Sequence, residues 1–368
     1  MKQYKDELIV HIMPKEKFTC GFISFTNDAF PQKNIVFIIY GSNDAVGYIE
    51  PNAKNVLLCE SINHIILSKE CASLLSKSSA IILNWVNLRL AAALCPYWGK
   101  LFLMFWGGDM YPFLDPSNVA SSPKARLRRF ILRCAIRRAA GIINLKPADQ
   151  LKLKEICVPK GVMFLGSVPG ETRESSKKRS EAMLSILEKD KPANPTRILL
   201  GNSASPTNRH VDVIDELKKF KDQNIVVYAP LSYGDKQYRD EIVEYGKTVL
   251  GSKFVPLLEF MDKAAYDEFL QTITIGIFNF NRQQGLGNVS LLMRYGAKVY
   301  VSRDNPVRED YLREGCVLFD VEGIPGMSFE EFVERRRSDL QENIRLFDPF
   351  ALHEKSVEKW LKIYDWLM

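Results

Sequence analysis

Two polar turns, each following an apolar strand-like run, carry the residue types needed to hold an anion. The stronger one follows Ile275–Asn279 and reads NRQQGLGNVS, so a cation, two long amides and two glycines precede a helix-like stretch. Arginine binds phosphate through two parallel hydrogen bonds, and glycines leave backbone amides bare beside the positive end of a helix dipole. The pattern favours a diphosphate-binding turn over a solvated glycine-rich loop. Its candidate residues are Arg282, Gln283, Gln284, Gly285, Gly287 and Asn288.

The second polar turn follows the strand-like run Arg197–Leu200 and reads GNSASPTNRHV. Gly201 permits a tight turn, and small polar residues before a helix leave amide donors free for an anion. His210, on the first turn of the expected helix, could reach a phosphate or lie on the helix surface. The alternative is an ordinary strand–helix loop in which Ser, Thr or Asn caps the helix. The candidate residues here are Gly201, Asn202, Ser203, Asn208 and His210.

A third polar cluster ends the apolar run Leu101–Phe105, where the sequence continues WGGDMY. Asp109 is the first charge after that run, and a carboxylate at the carboxyl end of a strand is a candidate general base. It could instead cap the following turn. The neighbouring candidates are Trp106, Gly107 and Gly108. His11 lies inside the run IVHIMP, where a histidine is more often a hydrogen-bonded core residue than a catalyst.

The segment Pro123–Ala140 contains seven cations and no acid. At helical spacing one stripe is basic and a second stripe is apolar. A basic amphipathic helix fits an anionic membrane surface, and the alternatives are a solvated face or a nucleic-acid stripe. We expect no nucleic-acid partner, because no known nucleic-acid motif accompanies the segment. The basic stripe consists of Arg126, Arg129, Arg133 and Arg137.

Strand-like and helix-like runs alternate along the whole chain, which predicts parallel sheets covered by helices on both faces. The 368 residues are 46% hydrophobic and 26% charged, which excludes a mostly disordered protein, and the net charge of +6 is too small to indicate a partner. We expect two doubly wound α/β domains facing each other across a cleft. The predicted boundaries are 1–170 for the first domain, 171–196 for a linker, 197–348 for the second domain, and 349–368 for a C-terminal helix that crosses back to the first.

Other function classes are disfavoured by what the sequence lacks. There is no Asp-x-Asp pair, no HxxxH motif and no cluster of the seven cysteines with the four histidines, so we expect no metal site and no cofactor. No apolar run approaches the ~20 residues that cross a bilayer, and we expect a cytoplasmic protein.

Several motifs resemble glycosyltransferase family 56. They are LLGNSASPTNRHV, the PLSY segment at Pro230–Tyr233, NRQQGLGNVSLLMRYG at Asn281–Gly296 and, in the N-terminal half, His11, FTNDAF at Phe25–Phe30 and FWGGDMY at Phe105–Tyr111. The resemblance implies a GT-B fold, with two Rossmann-like domains and the nucleotide sugar held mainly by the second. Both polar turns, together with Tyr233, would then bind the donor. Asp109 would face the acceptor hydroxyl, with His11, Trp106, Gly107 and Gly108 on the acceptor side.

The same resemblance implies the reaction. The protein would transfer a deoxyamino sugar, TDP-Fuc4NAc or a similar one, to a polyprenyl-diphosphate-linked saccharide. The step would belong to enterobacterial common antigen synthesis, at the cytoplasmic face of the inner membrane, with the protein bound peripherally and without a metal. Two alternatives stay open from the residues themselves: a non-catalytic module that binds nucleotide sugars or polysaccharide precursors, and a sugar-nucleotide epimerase of the same fold. Whether transfer inverts or retains the anomeric configuration is also open, and Asp109 would be the base only in the inverting case.

Overall fold

The computed structural model describes residues 7–42, 50–106, 109–110, 113, 122–144, 147–165, 168–187 and 195–367. The chain divides into two compact units. The first consists of Met1–Ser176 with His353–Met368, and the second is Lys177–Leu352. Each unit contains one parallel sheet.

The sheet of the first unit has seven strands in the order β3-β2-β1-β4-β5-β6-β7. All pairs are parallel, and the central ones are apolar and buried on both faces, as expected when helices cover both sides. The strands are β1 Ile9–Pro14, β2 Ile35–Tyr40, β3 Val56–Cys59, β4 Ala80–Asn84, β5 Leu101–Phe105, β6 Gly141–Asn144 and β7 Val162–Phe164.

The sheet of the second unit has six parallel strands in the order β10-β9-β8-β11-β12-β13. This is the 3-2-1-4-5-6 order of a Rossmann fold, and the chain direction across the sheet reverses between β8 and β11. Ligands of such sheets bind at the carboxyl ends of the strands beside that switch point. The strands are β8 Thr196–Leu200, β9 Ile225–Pro230, β10 Phe254–Leu257, β11 Ile275–Phe278, β12 Lys298–Val301 and β13 Phe319–Asp320.

Helices connect the strands in both units. In the first they are α1 Thr19–Ala29, α2 Ile62–Leu67, α3 Lys69–Lys77, α4 Leu88–Ala93, α5 Pro123–Arg138 and α6 Pro147–Lys154. Those that follow are α7 Arg173–Leu187, α8 His210–Leu217, α9 Lys236–Leu250, α10 Lys263–Gln271, α11 Leu286–Arg294, α12 Arg308–Arg313, α13 Phe329–Val333, α14 Arg337–Leu346 and α15 Pro349–Trp366. The chain leaves the first unit within α7 and returns to it within α15.

The strand-like runs that precede the three polar clusters are confirmed as strands: Leu101–Phe105 is β5, and Arg197–Leu200 and Ile275–Asn279 match β8 and β11 to within one residue. The segment 171–196, for which the sequence predicts a linker, contains helix α7 at Arg173–Leu187. Ser176, on the second turn of that helix, is buried. Polar composition therefore indicated a linker where the chain continues as a packed helix.

The C-terminal helix α15 completes the core of the first unit. Trp360, Ile363 and Tyr364 are fully buried and pack in one cluster with Phe22 of α1 and Phe37 of β2. Burying such large side chains contributes on the order of 2 kcal/mol each. The helix is therefore part of the fold of this unit.

Candidate functional site

The two polar turns lie side by side in the second unit. One follows β8 and the other follows β11, and these strands pair in parallel with Leu200 opposite Ile277. The backbone amide of Gly201 donates to the carbonyl of Ile277 at 3.0 Å, so the first turn leaves the sheet against the end of its neighbour. Both turns thus flank the switch point, where such sheets bind ligands.

A side-chain network joins the turns. The Thr207 hydroxyl donates to Gln284 Oε1 at 2.7 Å, and Arg282 Nε donates to the same oxygen at 2.7 Å and to Thr207 Oγ1 at 3.2 Å. These contacts use only the Nε–H of Arg282, and in the described part of the chain the remaining guanidinium donors have no partner. Gln284 Nε2 is likewise buried without a partner. A preoriented guanidinium with free donors is suited to a diphosphate.

Both turns require glycine. Gly201 and Gly285 have φ of +71° and +62°, a region that residues with a Cβ rarely adopt. A Cβ on Gly201 would lie 2.7 Å from His210 Nε2, and one on Gly285 would lie 2.7 Å from the Phe280 ring. Gly287 is exposed with no atom within 4 Å of such a Cβ, which leaves the first turn of α11 uncovered. That helix start is therefore open to an anion.

Asn208 and His210 stabilise the first turn from inside. Both are fully buried. Asn208 accepts from the backbone amide of Asn202 at 3.0 Å and donates to the carbonyls of Ser203 and Ser205 at 3.0 and 3.1 Å. Ser203 is itself buried. Contact of these side chains with a donor stays a prediction, while their effect on the shape of the turn is direct.

His210 is neutral at physiological pH, because burial lowers its pKa to about 4. Its Nδ1 lies 3.1 Å from the hydroxyl of Tyr238, and its Nε2 is buried without a partner. The ring therefore contributes shape and hydrogen bonding to the turn, not charge.

Two Asn–Tyr pairs border the turns. Asn202 Nδ2 donates to the Tyr233 hydroxyl at 3.1 Å, and Asn288 Nδ2 donates to the Tyr266 hydroxyl at 2.9 Å. Burial raises the pKa of Tyr266, and the proximity of Tyr233 raises it further. Gln283, the other long amide of the second turn, is mostly buried. The sequence analysis missed Tyr266, because α10 joins this region only through tertiary packing.

Sequence analysis also missed Arg209 and Thr207. Arg209 has φ of +49° at the entry to α8, and its guanidinium binds Asn279 after β11, Ser302 after β12 and Asp304. These hydrogen bonds connect the carboxyl ends of β11 and β12. Thr207 stands out only as one of several small polar residues in the sequence, and its contact with Gln284, 77 positions away, is decided by the sheet order.

In the first unit, Asp109 is mostly buried and both of its carboxylate oxygens accept backbone N–H groups. Oδ2 accepts from Val86 at 2.7 Å and Oδ1 accepts from Trp106 at 3.0 Å. The residue also lines a cavity of about 620 Å³. The geometry therefore gives Asp109 a structural role in a turn at the edge of the cavity. Its role as a base stays a prediction.

Of the other residues predicted on the acceptor side, Trp106 lies beside aromatic rings, whereas His11 lies in the core. Trp106 stacks edge-to-face on Phe18 and on Trp85, with ring centroids 6.0 Å apart in each case. His11 is fully buried in the core, between Tyr364 (Nε2 to hydroxyl, 3.2 Å) and Asn84 (Nδ1 to Nδ2, 3.3 Å), and burial lowers its pKa to about 3. Any contact of His11 with an acceptor would be indirect. Gly107 and Gly108 lie outside the described residues.

The predicted basic stripe of α5 is divided in the structure. Arg126, Arg133 and Arg137 are exposed, whereas Arg129 is half-buried and donates from Nη2 to the carbonyl of Glu155 at 3.0 Å. Phe130, on the exposed side, is 63% accessible. The helix contacts its core through Leu132, Ala135 and Ile136.

Two kinds of feature are absent from the described residues, a metal-ligand cluster and a membrane-spanning helix. No group of three or more His, Cys, Asp or Glu within these ranges is arranged to hold a metal ion. Within the same part of the chain, no helix combines the length and apolar character that crossing a bilayer requires.

Solved structures share this fold. A trehalose-phosphate synthase of Burkholderia vietnamiensis is 12% identical, with 98% of this chain and 99% of that chain covered and a TM-score of 0.60. HepE of Anabaena, in complex with UDP and glucose, is 12% identical, with 98% of each chain covered and a TM-score of 0.60. An E. coli trehalose-6-phosphate protein bound with UDP-2-fluoro glucose is 9% identical, with 98% and 99% covered and a TM-score of 0.61. The fold is therefore GT-B, with two Rossmann-like units.

The family follows from the sequence itself. Residues 99–354 match glycosyl transferase group 56, described as 4-alpha-L-fucosyltransferase, and this range is well over half of the chain. The chain belongs to that family. It is an enzyme of the glycosyltransferase type that uses a nucleotide sugar, which confirms the resemblance and the enzyme class and favours them over a binding module or an epimerase.

Proposed function

We propose that the protein moves a deoxyamino sugar from a nucleoside diphosphate, TDP-Fuc4NAc or a close relative, to a saccharide carried on a polyprenyl diphosphate. The step would take place at the cytoplasmic face of the bacterial inner membrane, in surface polysaccharide synthesis of the enterobacterial common antigen type. The observation that carries the proposal is the joined pair of turns in the second unit, where Arg282 is oriented by Thr207 and Gln284.

The chemistry follows from that pair of turns. An acceptor hydroxyl forms a bond to the anomeric carbon of the donor while the bond from that carbon to the diphosphate oxygen breaks. Negative charge grows on the leaving diphosphate, and the free guanidinium donors of Arg282 and the uncovered start of α11 would stabilise it without reorganising. Asp109 would take the hydroxyl proton if the configuration inverts. If it is retained, the leaving diphosphate would take the proton and Asp109 would orient the acceptor.

The main experiment is a transfer assay with a panel of nucleotide sugars, TDP-, UDP- and GDP-linked, and a lipid-linked disaccharide acceptor. We expect turnover with a TDP-linked deoxyamino sugar, unchanged by EDTA. Arg282→Ala should lower kcat/KM at least a hundredfold, which corresponds to about 2.7 kcal/mol of transition-state stabilisation.

Arg345→Ala is the matched control, because that arginine is exposed on α14 and its one side-chain partner among the described residues is Glu342. Its kcat/KM should stay within twofold of wild type. Full activity of the Arg282→Ala protein would refute the proposed donor site, and binding of donor without transfer to any acceptor would support a binding module instead.

The membrane part of the proposal rests on α5. Exposed Arg126, Arg133 and Arg137 surround the exposed Phe130, with no acid on the helix. Each cation near an anionic surface contributes about 1 kcal/mol. Changing the three arginines to Gln should therefore abolish sedimentation with phosphatidylglycerol vesicles at 0.1 M salt. Unchanged sedimentation would make α5 a solvated face.

A further inference from the structure

The cavity that Asp109 lines in the first unit has both apolar residues and arginines in its wall. The proposed function above assigns no ligand to it. It measures about 620 Å³, within the range of small-molecule sites. It lies after β4 and β5, beside Asp109. Most of its wall is apolar, formed by Val86, Leu88, Ala92, Phe113 and Ile131.

Two arginines are also among the residues that line this cavity, Arg89 on α4 and Arg128 on α5. Arg89 donates to the neutral amide oxygen of Asn63, and neither arginine forms an ion pair with a carboxylate in the described ranges. Arg128 has no hydrogen-bond partner there either. Cations beside an apolar wall are attracted to an oxyanion, and the planar guanidinium binds phosphate oxygens in pairs.

The apolar wall continues onto the surface of α5. Leu127 precedes Ile131 by four residues, so the two side chains lie one above the other on the same helix face. Leu127 is 58% exposed. An apolar chain that begins in the cavity could therefore follow the helix outward. A free phosphate would gain nothing from contact with this apolar wall. A phosphate ester of an apolar chain would contact both the wall and the arginines.

The backbone at this cavity is held in an unusual conformation. Trp85, directly after β4, has φ of +56°, which is rare for a bulky residue. The turn is fixed because its next amide, that of Val86, donates to Asp109. Such conformations persist where the surrounding structure imposes them, often at ligand sites.

We propose that this cavity binds the diphosphate and the first part of the apolar chain of the lipid-linked acceptor, with Arg89 and Arg128 as the diphosphate ligands. The proposal rests on the proposed function for the identity of the acceptor. It adds a binding site that is separate from the donor turns.

The test is calorimetric titration of the full chain with three probes: farnesyl diphosphate, farnesol and inorganic diphosphate. We expect farnesyl diphosphate to bind at least tenfold more tightly than either of the others. Arg89→Gln and Arg128→Gln should each weaken it at least tenfold. Arg138→Gln, at the other end of the same helix and outside both the cavity and the basic stripe, should leave its Kd within twofold. Melting temperatures within 2 °C of wild type would show that the variants are folded.

Three outcomes would overturn the proposal. Equal affinity for inorganic and farnesyl diphosphate would remove the apolar half of the site. Equal Kd values for the Arg128→Gln and Arg138→Gln proteins would remove the cationic half. Loss of farnesyl diphosphate binding by Arg138→Gln, together with loss of vesicle sedimentation by Arg128→Gln, would mean that only the helix surface binds. Because titration needs no donor, a failed transfer assay with intact binding would count against the proposed function alone.

Discussion

The hydroxyl of Thr207 lies between the two polar turns, where it bonds Gln284 and accepts from Arg282. If Arg282 binds the donor, Thr207 acts by orienting the guanidinium group of Arg282. Thr207→Val keeps the shape of the side chain and removes these two hydrogen bonds together with the one to Ser205 Oγ. We expect KM for the donor to rise about tenfold, since a hydrogen bond to a charged group is worth roughly 1.5–3 kcal/mol.

The double variant distinguishes positioning from a separate contact. In the Arg282→Ala background, Thr207→Val should change KM by less than twofold, because the group it orients is gone. Additive effects in donor titrations would mean that Thr207 contacts the donor independently.

Asp109 has two roles that one substitution can separate. Asp109→Asn removes the negative charge and leaves one backbone amide, of Val86 or Trp106, without its acceptor. If Asp109 is the base, kcat should fall 10²- to 10⁴-fold while donor Kd is unchanged. Steady-state kinetics and donor titration measure the two quantities.

Asn87→Ala provides the structural control, because Asn87 caps α4 in the same turn through the amides of Arg89 and Leu90. It should cost about 1 kcal/mol of stability. If Asn87→Ala lowers kcat as much as Asp109→Asn does, the aspartate shapes the turn and does not take a proton.

At the level of elements, the start of α11 depends on one of its two glycines. Gly285→Ala would place a Cβ 2.7 Å from Phe280 at positive φ, whereas Gly287→Ala meets no atom within 4 Å. We expect Gly285→Ala to lower the free energy of unfolding of the second unit by about 1–3 kcal/mol. Gly287→Ala should change it by less than ~1 kcal/mol and could raise it, since alanine favours helix.

Urea unfolding followed by circular dichroism measures both variants. Equal stability of the Gly285→Ala and Gly287→Ala proteins would mean that the Phe280 ring can move aside and that the turn is not tightly packed. That result would weaken the argument for a preformed donor site.

For the whole molecule, the buried His11 links stability to pH. Its pKa is lowered from an ordinary 6.5 to about 3, so the folded state stays neutral where the unfolded state takes up a proton. This contribution is fully present above pH 6.5 and is lost as the pH falls from 6.5 toward 3. By pH 5 the loss is about 2 kcal/mol.

His11→Asn should therefore reduce the difference in unfolding free energy between pH 7 and pH 5 by about 2 kcal/mol. An equal pH dependence of the wild-type and His11→Asn proteins would contradict the assignment of a buried neutral imidazole.

Much of the fold could be predicted because local pattern determines it. Short apolar runs rich in β-branched residues, such as Ile35–Tyr40 and Ile275–Phe278, favour buried strands, and alternation with helices favours parallel sheets. The glycine-rich turns were recognisable because Gly201 and Gly285 allow backbone conformations that few other residues adopt. The sequence did not predict helix α1 or the extent of α7. The pattern of α1 is mixed and that of α7 is polar, and tertiary packing stabilises both helices.

The sequence by itself determined the strands, the position of the two polar turns and the family. Only the tertiary structure decided which residues meet: Thr207 with Gln284, Asn288 with Tyr266, and Arg89 with Arg128 around one cavity. It also placed His11 in the core and turned Arg129 toward a backbone carbonyl. The physical reason is that spacing along the chain reports only neighbours within a strand or a few helical turns. Strand order and the packing of helices on a sheet bring together residues tens of positions apart.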